Sequence, residues 1–118
     1  MANDFKRFCV PSVGTSLTTL YGVPAGASSA ALESIVIGIT MANKTSTGVT
    51  ASIFIDNEDG TNDVFIVKDA SIPAGASLEV MAGNKLVLQN DGTNGDNLEA
   101  LCSVANSLDV TVSVLEDV

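Results

Sequence analysis

The chain has 118 residues, of which 46% are hydrophobic, and its 14 acidic against 5 basic side chains give a formal charge of −9. That length and apolar content fit one domain with a core rather than a disordered tail, and the acidic balance argues against a nucleic-acid partner because it repels a phosphate backbone. No stretch approaches the roughly 20 apolar residues of a membrane helix, and with no Trp and 4% aromatics the core must be built from Val, Ile, Leu and Ala.

The opening, "MANDFKRF", lacks the apolar stretch of a secretory signal, so folding in a cytoplasm is expected. Residues 1–16 are read as an N-terminal arm or first strand, with a strand over 6–13, and residues 17–118 as the body of the domain. Within the arm, Phe5, Lys6, Arg7 and Phe8 set two aromatics around the only adjacent basic pair. Such a stretch can add to a neighbour's sheet or dock on an acidic patch; equally, it can be the first strand and nothing more.

Beyond the arm the hydropathy alternates with period two, the signature of strands with one buried face. Strands are predicted over 17–23, 32–42, 49–57, 63–69, 77–81, 85–89, 97–104 and 108–116. Ile35, Ile37, Ile39 and Met41 share one face of their strand, as do Val49, Ala51, Ile53 and Ile55 of the next, and Val110, Val112 and Val114 of the last. The unbroken apolar runs Val64–Val67 and Leu86–Leu88 suggest more central strands. The Ala-rich stretch Ala27–Glu33 is open to a short helix. Clusters of Gly, Asn, Asp and Pro separate these segments and supply the backbone angles that reversals need. Strands at about 8–12-residue spacing predict an all-β fold: a single-domain, antiparallel, jelly-roll-like β-sandwich of about 8–9 strands.

One phrase occurs twice, as "VPAGAS" at Val23–Ser28 and "IPAGAS" at Ile72–Ser77. In each, Pro bars ladder donation and Gly26 or Gly75 is expected to let the chain reverse. "LES", "AN" and "GVTASI" follow the first copy, and "LEA", "AN" and "DVTVSV" the second, in the same order at different spacings. Internal duplication and convergent turn chemistry both account for the echo.

Little in the chain speaks for catalysis. Without His there is neither the commonest general base nor the commonest metal ligand. The nucleophile-elbow and phosphate-loop motifs are missing, so no enzyme activity, catalytic residue, cofactor or metal is expected. Asp56–Asp63 and Asn90–Asn97 could offer oxygens to calcium, but the first loop has Val67 where an EF-hand places its bidentate Glu. "DG" and "NG" are the letters of solvated hairpin loops. Of the two cysteines, Cys102 shares a face with Leu98, Ala100 and Val104. Free buried thiols are favoured over a Cys9–Cys102 disulfide in a reducing compartment.

Read with their flanks, several segments occur together in order: "TTLYGVPAG" (Thr18–Gly26), "SIVIGITMANKT" (Ser34–Thr45), "FIVKDASIPAGASLEV" (Phe65–Val80), "KLVL" (Lys85–Leu88), "GDNL" (Gly95–Leu98) and "LDVTVSVLE" (Leu108–Glu116). This series resembles small virion structural proteins of tailed bacteriophages, including the marine T7-like phages of cyanobacteria. The chain departs from that pattern at "VLQNDGTNGD", where the family has a shorter "VLxAGD" step. The resemblance implies a β-sandwich virion component. The leading expectation is a capsid decoration or cement protein, assembled in the host cytoplasm, that binds the major capsid protein or another virion protein outside the head and stabilises the shell. Phe5, Lys6, Arg7 and Phe8 are its candidate docking residues, and a homo-oligomer is compatible with it. The alternative is a tail or neck adaptor, or a host-surface module binding a receptor or carbohydrate.

Overall fold

A computed structural model describes residues 3–56, 64–80 and 85–117. Nine strands are present among them: β1 (Asn3–Val13), β2 (Thr18–Gly22), β3 (Leu32–Asn43), β4 (Val49–Asp56), β5 (Val64–Ile72), β6 (Ser77–Glu79), β7 (Leu86–Asn90), β8 (Asn97–Cys102) and β9 (Leu108–Asp117). The pairing is nested: β1 with β9, β2 with β8, β3 with β6 and β7, and β4 with β5, all antiparallel. This folded ribbon rolls into two sheets. Sheet A runs β1-β9-β3, with β6 and β7 one after the other along the far edge of β3, and sheet B runs β2-β8-β4-β5. That is the jelly-roll arrangement, in which two Greek keys share one sandwich.

The core lies between the sheets. Val36, Ile39, Met41, Val110, Val112 and Val114 of sheet A face Ala51, Ile53, Leu98, Ala100 and Cys102 of sheet B, and each is no more than 1% exposed. Burying each Val, Leu or Ile side chain contributes about 1.5–3 kcal/mol, so a long strand with one good face is worth keeping in register. In β9 the expected alternation holds throughout, and in β4 Val49, Ala51 and Ile53 turn inward with Ile55 half-buried.

In β3 the alternation changes parity. Leu32, Ser34 and Val36 are buried, then Ile39, Met41 and Asn43. The cause is a bulge against β9 between Val36 and Gly38, which leaves Ile37 as an extra residue. One inserted residue flips every side chain beyond it. Ile35 and Ile37 therefore face outward, contrary to the sequence expectation, and only Ile39 and Met41 of that set reach the core.

Other expectations need correction for equally local reasons. The run Val64–Val67 belongs to β5, an edge strand of sheet B, and Leu86–Leu88 to β7, an edge strand of sheet A; neither is central. Two bulges break the β5 pairing with β4, and Val64 and Phe65 stay half-exposed. Val104 lies beyond the end of β8 and is exposed. Cys102 is buried as expected, whereas Cys9 is exposed, because it sits opposite Thr111 on the outer face of β1; both thiols are free.

The two copies of the repeated phrase adopt different backbones. At Pro73–Ala76 the Ala76 N–H donates to the Pro73 carbonyl across 3.0 Å, and Gly75 sits at φ +69°, as a type II turn requires. At the first copy Gly26 is extended (φ −72°), and the reversal falls on Ser28 and Ser29, both left-handed at φ 57° and 61°. No longer helix forms in Ala27–Glu33: a three-residue turn, Ala27–Ser29, precedes β3. This corner leans on the loop after β7. Asn90 donates to the Val23 carbonyl, and a side chain at Gly92 would stand against the Ser29 carbonyl. Neighbouring chain, rather than the six letters, decides the turn.

Candidate functional site

Phe5, Lys6, Arg7 and Phe8 all lie on β1, the edge strand of sheet A, and alternation sends them to opposite faces. Lys6 and Phe8, paired with buried Val114 and Val112, turn toward the space between the sheets. Phe5 and Arg7, paired with Leu115 and Ser113, turn outward. The structure thus divides the four residues into an inner pair and an outer pair.

The inner pair closes the open side of the sandwich. The Phe8 ring lies 5.0 Å from the ring of Tyr21 on β2, linking the sheets. The Lys6 ammonium lies 2.9 Å from Oε1 of Glu116, whose side chain is only 3% exposed. Tyr21 donates its hydroxyl proton to Oε2 of Glu116 across 2.6 Å. With its single proton committed to Glu116, the Tyr21 oxygen accepts from the Ser34 hydroxyl at 2.8 Å. Burial opposes the charged form of Glu116, yet the Tyr21 hydroxyl and then Lys6 outweigh it and hold the carboxyl below its ordinary 4.5. Burial, followed by the bond to Glu116, pushes the Tyr21 hydroxyl well above its ordinary 10. Through these contacts Tyr21 of sheet B is bound to Ser34 and Glu116 of sheet A, so the cluster ties the two sheets together. Sequence reasoning missed it, because its members lie on four strands and only the fold brings them together.

At the far end of β1 a second polar cluster fixes a bulge. Ser12 takes a left-handed φ of 59°, its N–H donates to Oδ1 of Asp109, and Lys44 reaches both Ser12 Oγ and Asp109 Oδ1 at 2.8 and 2.9 Å. The bulge carries Val13 into the core, where strict alternation from Phe8 and Val10 would have placed Ser12.

The outer pair belongs to a different surface. Phe5, Leu115, Ile35 and Val87 stand directly opposite one another across β1, β9, β3 and β7, forming an apolar row on the outer face of sheet A. Phe5 is 77% exposed and Val87 54%, and Ile37 beside them is exposed because of the β3 bulge. Further along the same face, Cys9, Thr111, Thr40 and Glu79 are polar or small. The apolar character is therefore confined to one end.

The acidic loop Asn90–Asn97 has its oxygens engaged by the backbone. Asp91 Oδ1 accepts from the N–H groups of Thr93 and Asn94, Asn90 Oδ1 from Gly92, and Asp96 Oδ2 from Gln89. Among the described residues no cluster of three His, Cys, Asp or Glu side chains is set to hold a metal. In the other acidic loop, residues 57–63 lie outside the described residues. Tyr21, the only tyrosine, is 4% exposed and offers no surface platform for a sugar. Among the described residues no helix is long and apolar enough to cross a membrane.

No family model and no curated protein matches the chain. Among solved structures it is similar to a chain of infectious bursal disease virus, Gx strain, with 14% identity and a TM-score of 0.49, over 96% of this chain and 32% of that one. It is also similar to a chain from the disulfide-linked pili of Bacillus endospore appendages, with 13% identity and a TM-score of 0.42, over 97% of this chain and 86% of that one. The chain thus spans about a third of the length of the virus protein it matches.

Proposed function

We propose that this protein is a non-enzymatic structural subunit of a virus particle, and specifically a decoration or cement protein held on the outside of a phage head by the major capsid protein or another virion protein. The observation that carries this reading is β1: eleven residues long, paired with β9 on one side, and unpaired with any described strand on the other. An open edge of this length is a template for a strand of another protein. The other edges are less suited, since β2 has five residues and a bulge, β5 two bulges, β6 three residues and β7 five. Pro11, which lacks an N–H, limits the usable edge to the stretch before it, where the FKRF residues lie.

A subunit that binds only the assembled lattice stabilises that lattice by mass action. The test is to mix the purified protein with expanded, empty heads of tailed phages. Saturable binding at a fixed number of copies per shell, with a higher shell melting temperature, is expected. A chain lacking residues 1–5, with folding checked by circular dichroism, retains Lys6 and should bind less. Absence of binding by the whole chain, or full binding by the shortened one, would count against the reading.

A further inference from the structure

We infer that the apolar row on the outer face of sheet A is covered by a second copy of the same chain, packed face to face about a two-fold axis running along the row. This names a partner for the strand on which the proposed function rests, but uses its outer face rather than its edge. Of the seven large hydrophobic residues exposed among the described residues, three lie together here: Phe5, Ile37 and Val87. Ile35 and Leu115 fill the row between them. Apolar surface concentrated on one end of one sheet face marks a contact surface, unlike hydrophobic residues scattered singly.

The charges flanking the row select the occupant. On one side stand Arg7 of β1 and Lys85 just before β7; on the other stands Glu33 of β3, beside a depression of about 210 Å³ that Asp91 also lines. Among the described residues neither Arg7 nor Lys85 forms an ion pair. The face therefore carries a cationic margin and an anionic margin with an apolar strip between. A two-fold axis along the strip exchanges the margins, bringing Lys85 of each copy over the Glu33 side of the other. An axis along the strands would instead set Arg7 against Lys85 and is disfavoured. Self-complementarity of this kind is what an isologous interface requires, and it offsets locally the repulsion expected of two chains each carrying −9.

Sedimentation equilibrium of the full chain tests this, with folding of each variant checked by circular dichroism. The wild type is expected to form a dimer. V87D, which places a charge in the row, should weaken it by at least about tenfold, equivalent to 1.4 kcal/mol. E33K should weaken it as well, because it makes both margins cationic, and E33K with K85E should restore it. A wild type that stays monomeric at about millimolar concentration, a dimer indifferent to V87D, or a double variant no tighter than E33K would each overturn the proposal. Shell binding by a monomeric V87D variant would leave the proposed function standing on the β1 edge alone, so the two readings fail separately.

Discussion

Tyr21 and Glu116, 95 residues apart, share a 2.6 Å hydrogen bond that joins sheet B to sheet A at the open side of the sandwich. A buried carboxylate is costly unless paired and hydrogen-bonded. Here Lys6 approaches one oxygen and Tyr21 donates to the other, so each partner is needed for the tolerance of the whole cluster.

Tyr21→Phe keeps the ring against Phe8 and removes only the donor. The buried Oε2 then loses its hydrogen bond, a loss of about 1–3 kcal/mol. Urea unfolding should show a lower midpoint with an unchanged slope. An unaltered midpoint would mean that water replaces the hydroxyl without cost.

The same cluster has a pH signature. The folded carboxyl of Glu116 titrates below its ordinary 4.5, so on acidification the unfolded chain takes up this proton first. The stabilisation is complete above about 4.5 and is lost as pH falls through the folded value. Lys6→Met removes one of the groups that hold the carboxyl down. The melting-temperature gap between wild type and variant should be widest near neutrality and narrow in acid. A gap constant from pH 7 to 3 would contradict the pairing.

The two PAGAS corners should respond differently to the same substitution. Gly75→Ala forces a side chain into a left-handed position with open space around it, a backbone cost of about 1–2 kcal/mol. Gly26 has an ordinary φ, and a methyl there meets Ala30 only closely; Gly26→Ala should change stability by less than about 1 kcal/mol. Gly92→Ala combines a φ of +100° with collision against the Ser29 backbone and should be the most damaging of the three. Denaturant midpoints rank them, and equal losses at Gly26 and Gly75 would refute the conformational distinction.

Thiol accessibility separates the two cysteines. Cys9 is exposed and Cys102 buried, so a thiol reagent should consume one equivalent rapidly in the native protein and the second only on unfolding. Two rapid equivalents would place Cys102 in a looser core.

Much of the architecture was legible in the sequence because period-two patterning and turn residues are local signals. The predicted strand 32–42 matches Leu32–Asn43, and 108–116 matches Leu108–Asp117. What the pattern could not supply was parity across a bulge. Ile35 and Ile37 read as core yet stand outside, and their displacement creates part of the apolar row. The FKRF stretch was visible as letters, but its division into inner and outer pairs depends on Val114 and Ser113 of β9, over 100 residues away. The repeated phrase was the least informative cue, since one sequence closes a type II turn and also spans a corner without bending at its glycine.

The central claim is that the chain works by binding to a larger shell, and co-sedimentation with expanded, empty phage heads addresses it most directly. Saturation at a fixed number of copies per shell, reduced when residues 1–5 are removed, is the predicted result. A folded chain that remains in the supernatant at every shell concentration would contradict the account.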